Sequence, residues 1–97
     1  MQKVIRTIPT QTGTISDDNG PKFPVRFSLT EWQEFVNGEL PSVTSARGHI
    51  EFEDTAKAFF FMNSLGPHTL RGGGIEVSII MDRLTEFKVT GPIKDLK

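Results

Sequence analysis

Phe23-Pro24-Val25-Arg26-Phe27-Ser28-Leu29-Thr30-Glu31-Trp32-Gln33-Glu34-Phe35-Val36 is the stretch on which the fold turns. Its first half alternates: Phe23, Val25, Phe27 and Leu29 share one parity, with Pro24, Arg26 and Ser28 between them. That is the period of a strand with one buried face. Pro24 has no amide hydrogen to give a ladder, so the strand is expected at a sheet edge or to begin after it. In the second half the period changes. Ser28-Leu29-Thr30-Glu31 has the form of a capping box, Trp32, Phe35 and Val36 recur at helical spacing, and Gly38 supplies a stop. The spacing predicts a short helix, about two and a half turns, held by tertiary packing of its apolar stripe.

Upstream, residues 3–16 are rich in Val, Ile and Thr and read as an irregular strand, closed by the turn Asp17-Asp18-Asn19-Gly20-Pro21. Downstream, residues 42–45 read as a polar loop. Arg47 to Glu53 is a strand with Ile50 and Phe52 inward and His49, Glu51 and Glu53 outward. Residues 54–66 begin at Asp54, a good N-cap, and end at Gly66-Pro67. Those caps and the length favour a helix, although Phe59-Phe60-Phe61-Met62 is apolar on every side, as a buried strand would also be.

Leu70 to Asp82 reads as a strand interrupted by Gly72-Gly73-Gly74, with Ile75, Val77, Ile79 and Met81 on one face. Phe87, Val89 and Ile93 continue the inward set in a last strand. Because paired residues share a face, Met81 belongs opposite Phe87, Ile79 opposite Val89 and Ile75 opposite Ile93. Repulsion between Asp82 and Glu86 favours a connecting loop longer than three residues.

Helices lying between antiparallel strands indicate an α+β single domain over residues 1–97. The expected architecture is a mainly antiparallel five-stranded sheet or partly open barrel with one or two short helices. One version is a five-stranded Greek-key barrel of the oligonucleotide-binding type, which carries a helix between its third and fourth strands. The expected core is Ile15, Phe23, Val25, Phe27, Leu29, Trp32, Phe35, Val36, Ile50, Phe52, Phe59, Ile75, Val77, Ile79, Met81, Phe87 and Val89.

Composition narrows the function classes. With 97 residues, 36% apolar and eight Phe, the chain can form one packed core and is unlike a disordered tail. A net charge of −1 argues against a dedicated duplex-DNA binder. The absence of cysteine excludes a disulfide scaffold, a thiolate zinc site and a cysteine nucleophile. Neither a signal-peptide-like start nor a membrane-length apolar run is visible, so a cytoplasmic setting is expected.

Chemistry-bearing patterns are sparse. His49, Glu51 and Glu53 on one strand face, with Asp54 beside them, have the donor types of a zinc or manganese site, but also those of an ordinary wet strand face. No metal site and no cofactor is expected from them. Gly72-Gly73-Gly74 precedes a strand and has no following Lys, so it is a bend or bulge rather than a phosphate loop. His49 and His68 are the only imidazoles, and no nucleophile motif accompanies them; His68, in Gly66-Pro67-His68-Thr69, is expected to be exposed. No catalytic residue is assigned, and the chain reads more readily as a binder than as an enzyme.

Two features point to partners. Residues 31–54 hold Glu31, Glu34, Glu39, Glu51, Glu53 and Asp54 against Arg47, between flanks that are each net positive. An acidic face of Glu31, Glu34, Glu51 and Glu53 is therefore expected to attract a basic protein partner. A helix cannot bury Phe59, Phe60, Phe61 and Met62 together, so Phe60, Phe61 and Met62, with Ile80 from the polar side of its strand, are expected to serve self-association as a homodimer. The expected function is a small non-catalytic protein-interaction module. The alternative is a barrel that binds single-stranded nucleic acid through Arg26, Arg71 and Lys88, for which an outward aromatic is needed beside the basic side chains.

Overall fold

In a computed structural model, residues 2–17, 20–35, 41–64 and 66–96 are described, with side chains for 3–17, 20–33, 45–64 and 66–96. The second half of the opening stretch does not turn helical. Strand β2 runs unbroken from Phe23 to Phe35, between β1 (Gln2–Ser16) and β3 (Pro41–Phe52). The capping-box pattern is a local signal worth about 1 kcal/mol. Here it yields to ladders on both sides, in which Ser28 pairs with His49 and Trp32 pairs with both Val4 and Ser45. The expected loop at 42–45 is likewise strand. Pro24 does not mark an edge, because pairing with β3 begins one residue later, at Val25 opposite Phe52. The side chain of Phe35, and Val36 and Gly38 altogether, lie outside the described residues.

Strand β1 is irregular for a visible reason. Its register against β2 slips between Val4 and Arg6 and again between Ile8 and Gln11, where Pro9 can give no ladder hydrogen bond. Its last residues turn to pair with a second partner, β4 (His68–Gly72), Gly13 standing opposite Gly72.

The expected single strand from Leu70 to Asp82 is two strands. Gly73 and Gly74, at φ +60° and +80°, make a two-residue hairpin turn between β4 and β5 (Ile75–Arg83). Positive φ at both central positions is the mirror-image turn that matches strand twist, and glycine adopts it without a Cβ penalty. Strand β6 (Glu86–Val89) then pairs with β5 in the expected register, Met81 opposite Phe87 and Ile79 opposite Val89. The longer loop is not needed: Arg83 pairs with Glu86 across a two-residue turn, and a bulge at Asp82 restores the parity. Ile75 is not opposite Ile93. After Gly91-Pro92 the chain rejoins β5 two residues out of step as β7 (Lys94–Asp95), placing Asp95 opposite Ile75.

These pairings close. β1, β2, β3, β6, β5 and β4 form a ring in which every neighbouring pair is antiparallel and β4 returns to β1, while β7 adds to β5. The fold is thus a six-stranded closed barrel with a seventh short strand, rather than an open five-stranded sheet. It consists of two three-stranded meanders joined by the single described helix, α1 (Thr55–Asn63). The helix does fall between the third and fourth strands, and Asp54 caps it, its Oδ1 accepting from the Ala56 amide at 3.0 Å.

Inside lie Ile8, Ile15, Val25, Phe27, Leu29, Ile50, Phe52, Leu70, Ile75, Val77, Ile79 and Phe87. Gly48 leaves room for this packing, since a Cβ there would collide with the Ser28 carbonyl oxygen and come within 2.6 Å of the Phe87 ring. Helix α1 covers the barrel end where β2 and β4 begin and β3 ends. Ala58 and Phe61 are its buried residues, and the Phe61 ring meets Phe23, Phe52 and His68 at centroid distances of 5.8, 5.7 and 4.9 Å. Phe59, expected in the core, is 57% exposed, whereas Phe61, expected at an interface, is 1% exposed. The reason is phase: Phe61 follows Ala58 by one helical turn, and Phe59 does not.

Candidate functional site

The helix phase that buries Phe61 turns Thr55, Phe59 and Met62 outward at i, i+4 and i+7, one stripe along α1. Phe59 overhangs a groove of about 480 Å³ lined by Ile50, Glu51, Phe52, Thr55, Ala58, Phe59, Leu84 and Thr85. Its floor is core (Ile50, Phe52, Ala58), one wall is the helix, and the other is the β5–β6 turn. That turn is fastened to β3, since the Ile50 amide donates to the Thr85 carbonyl at 2.9 Å. Leu84, at its tip, remains 38% exposed. Large apolar groups at a hairpin tip and on an outer helix stripe are costly to leave in water unless something covers them. Sequence reasoning missed Leu84. The available signal was an aliphatic residue in a turn otherwise made of Arg83 and Thr85.

The four expected acids do not form one face. Glu51 sits on the outer side of the β2–β3 ladder opposite Arg26, exposed at the groove, and exposed Glu53 follows at the end of β3. Glu31 pairs with Ala46 on the other side of that ladder; its side chain is 16% exposed and lies 3.6 Å from the Arg6 guanidinium. The short helix expected between the Ser28 cap and Gly38 would have turned Glu31 to solvent, but strand parity turns it inward. The side chain of Glu34 lies outside the described residues. Of the expected self-association set, Phe61 is core, Phe60 is 52% exposed, Met62 is 37% exposed beside Phe59 on the stripe, and Ile80 is 39% exposed on the outer wall opposite Lys88.

The three basic residues named for nucleic acid are also dispersed. Arg26 faces Glu51 across the ladder, Arg71 is ion-paired with Glu76 at 2.8 Å, and Lys88 lies between Arg47 and Ile80, 3.7 Å from Asp82. Trp32 has left the expected core. It is half-buried on the outer wall, with the Arg47 guanidinium 5.2 Å from its ring centroid. A second concavity, about 560 Å³, joins Trp32 and Arg47 to His49, Asp82 and Glu86, a surface of mixed charge.

His68 is not exposed. Its side chain is enclosed beneath α1, with Nδ1 2.5 Å from Asp17 Oδ1 and Nε2 3.1 Å from the Phe61 carbonyl oxygen. The carbonyl oxygen can only accept, so in that hydrogen bond Nε2 is the donor. The imidazole therefore ties β4 to the helix and to the β1–β2 connection, and it faces the core rather than either concavity. His49 stands on the outer wall opposite Glu86. Among the described residues, no three His, Cys, Asp or Glu side chains are placed to hold a metal ion, and no helix is long and apolar enough to cross a membrane.

Comparison with family models, with curated proteins and with solved structures finds no match for this chain.

Proposed function

We propose that this barrel is a small non-catalytic interaction module that engages a protein partner at its helix-bearing end. The observation that carries the reading is the pairing of an outward aromatic side chain, Phe59, with a ready-made groove. Phe59 is 57% exposed and Leu84 38% exposed above a floor of buried Ile50, Phe52 and Ala58. Aromatic anchors at the centre of a desolvated pocket supply most of the energy in protein contacts. The test is affinity capture with the tagged chain and its Phe59→Ser variant. The proposal predicts a stoichiometric protein partner retained by the wild type and lost by the variant. Equal retention by both proteins contradicts it.

A second reading has its own observation. Trp32 faces outward under Arg47, and the ladder brings Lys88 beside Arg47. This is the aromatic-plus-basic pairing that single-stranded nucleic acid requires. Asp82 and Glu86 on the same concavity weaken the field there, which is why it stands second. Quenching of Trp32 fluorescence by an oligothymidylate, abolished by Arg47→Ala and by added salt, would promote it.

A further inference from the structure

From the groove, and resting on the interaction reading above, we infer the chemistry of its occupant: a linear peptide segment of a partner protein with a bulky apolar anchor flanked by Lys or Arg. The apolar anchor follows from Phe59 and Leu84, which face each other across buried apolar carbon. The basic flanks follow from the rim. Glu51 lines the groove, and Glu53 and Asp54 follow in the chain between β3 and α1, all three exposed, with Glu51 and Glu53 also lining the neighbouring concavity. Of the neighbouring bases, Arg26 lies opposite Glu51 in the ladder, Lys57 of α1 carries its Nζ over the Phe23 ring at 4.7 Å, and Arg83, next to Leu84, is directed to Glu86 at 4.0 Å. An incoming cation therefore meets a net negative rim, whose attraction acts through the approach and fades with salt.

A second copy of this chain fits less well. A two-fold dimer through this patch sets each surface against itself, bringing Glu51, Glu53 and Asp54 of one protomer towards those of the other. Area argues the same way. Obligate dimers bury about 1,000 Å² or more on each partner, whereas a few half-exposed side chains such as Phe59, Met62 and Leu84 offer only a few hundred. A narrow groove with one strong anchor suits a segment, not a broad face.

The experiment uses two synthetic peptides of identical length carrying the same Phe and Leu anchors, one flanked by lysines and the other by glutamates, titrated into the whole chain and followed by amide NMR. The lysine peptide is expected to shift resonances of residues 50–55, 58–62 and 84–85, and to bind at least about tenfold more tightly than the glutamate peptide, a factor worth about 1.4 kcal/mol. Reversing the rim with Glu51→Lys and Glu53→Lys is expected to remove that preference while amide dispersion stays that of a folded barrel. Phe59→Ser is expected to remove binding of both peptides. Equal affinity for the two peptides overturns the inference, as does a footprint centred on Trp32, Arg47 and Lys88. A Phe59-dependent dimer in sedimentation of the unmixed chain also overturns it in favour of a second copy. Phe59-dependent capture of a native partner that is insensitive to rim reversal overturns the basic segment but leaves the interaction module standing, so the two failures are distinct.

Discussion

His68 Nδ1 lies 2.5 Å from Asp17 Oδ1, joining a histidine side chain 1% exposed to a carboxylate 41% exposed across 51 residues of sequence. Its other nitrogen reaches the Phe61 carbonyl, so one ring links the β1–β2 connection, α1 and β4. His68→Ala removes a buried side chain and the donor to that carbonyl, and is expected to lower unfolding free energy by about 2–4 kcal/mol. Asp17→Ala leaves the ring in place at a half-open site and should cost less, about 1 kcal/mol. Denaturant titration of the two variants checks the order; an Asp17 variant less stable than the His68 variant would contradict it.

Helix phase makes a sharp contrast between neighbours. Phe61→Ala should cost about 3–5 kcal/mol, because its ring packs on Phe23, Phe52 and His68. Phe59→Ser, at a position 57% exposed, should stay within about 0.5 kcal/mol of wild type. Thermal or chemical unfolding distinguishes the two, and similar losses would mean that the helix is rotated.

Gly48→Ala tests the close approach of strand and ring. The added carbon meets the Ser28 carbonyl and the Phe87 ring, so the β2–β3 ladder has to shift, at a cost of about 2 kcal/mol or more. Gly91→Ala, with nothing within 4 Å of the new Cβ, is the matched control and should be close to neutral. A stable Gly48→Ala protein would contradict the register of Leu29 opposite Gly48.

Trp32 reports on the outer wall. Half-buried beneath Arg47, it should emit between the limits of buried and free indole and remain open to acrylamide in the folded protein. Arg47→Ala should increase the quenching. Emission typical of a dry core, unresponsive to acrylamide, would return Trp32 to the interior.

How far the sequence reached depends on whether the deciding contact was local. Val25, Phe27, Leu29, Ile50, Phe52, Val77 and Ile79 are buried as their alternation required, and Met81 meets Phe87 in the register that shared parity demanded. Asp54 and the helix after it were equally legible, because a cap acts over two or three residues. Trp32 was misread because the sequence from Ser28 to Val36 carries an adequate helical pattern, and only strands β1 and β3, distant in sequence, hold residues 28–35 extended. The same error of parity misplaced Glu31. His68 was unreadable for a related reason, since its burial depends on Phe61 and on Asp17. The groove was half legible. The surplus of the Phe59–Met62 run was visible, but Leu84 and Glu51 joined it only when the β5–β6 turn bonded to β3.

Hydrogen exchange on the chain bound to its captured partner tests the central claim most directly, because it needs no prior choice of site. The account predicts that binding slows exchange at residues 50–62 and 84–85 and leaves the Trp32 and Arg47 wall unchanged. Protection confined to residues 30–32, 45–49 and 86–88, with the helix and the β5–β6 turn exchanging as in the free chain, would contradict it.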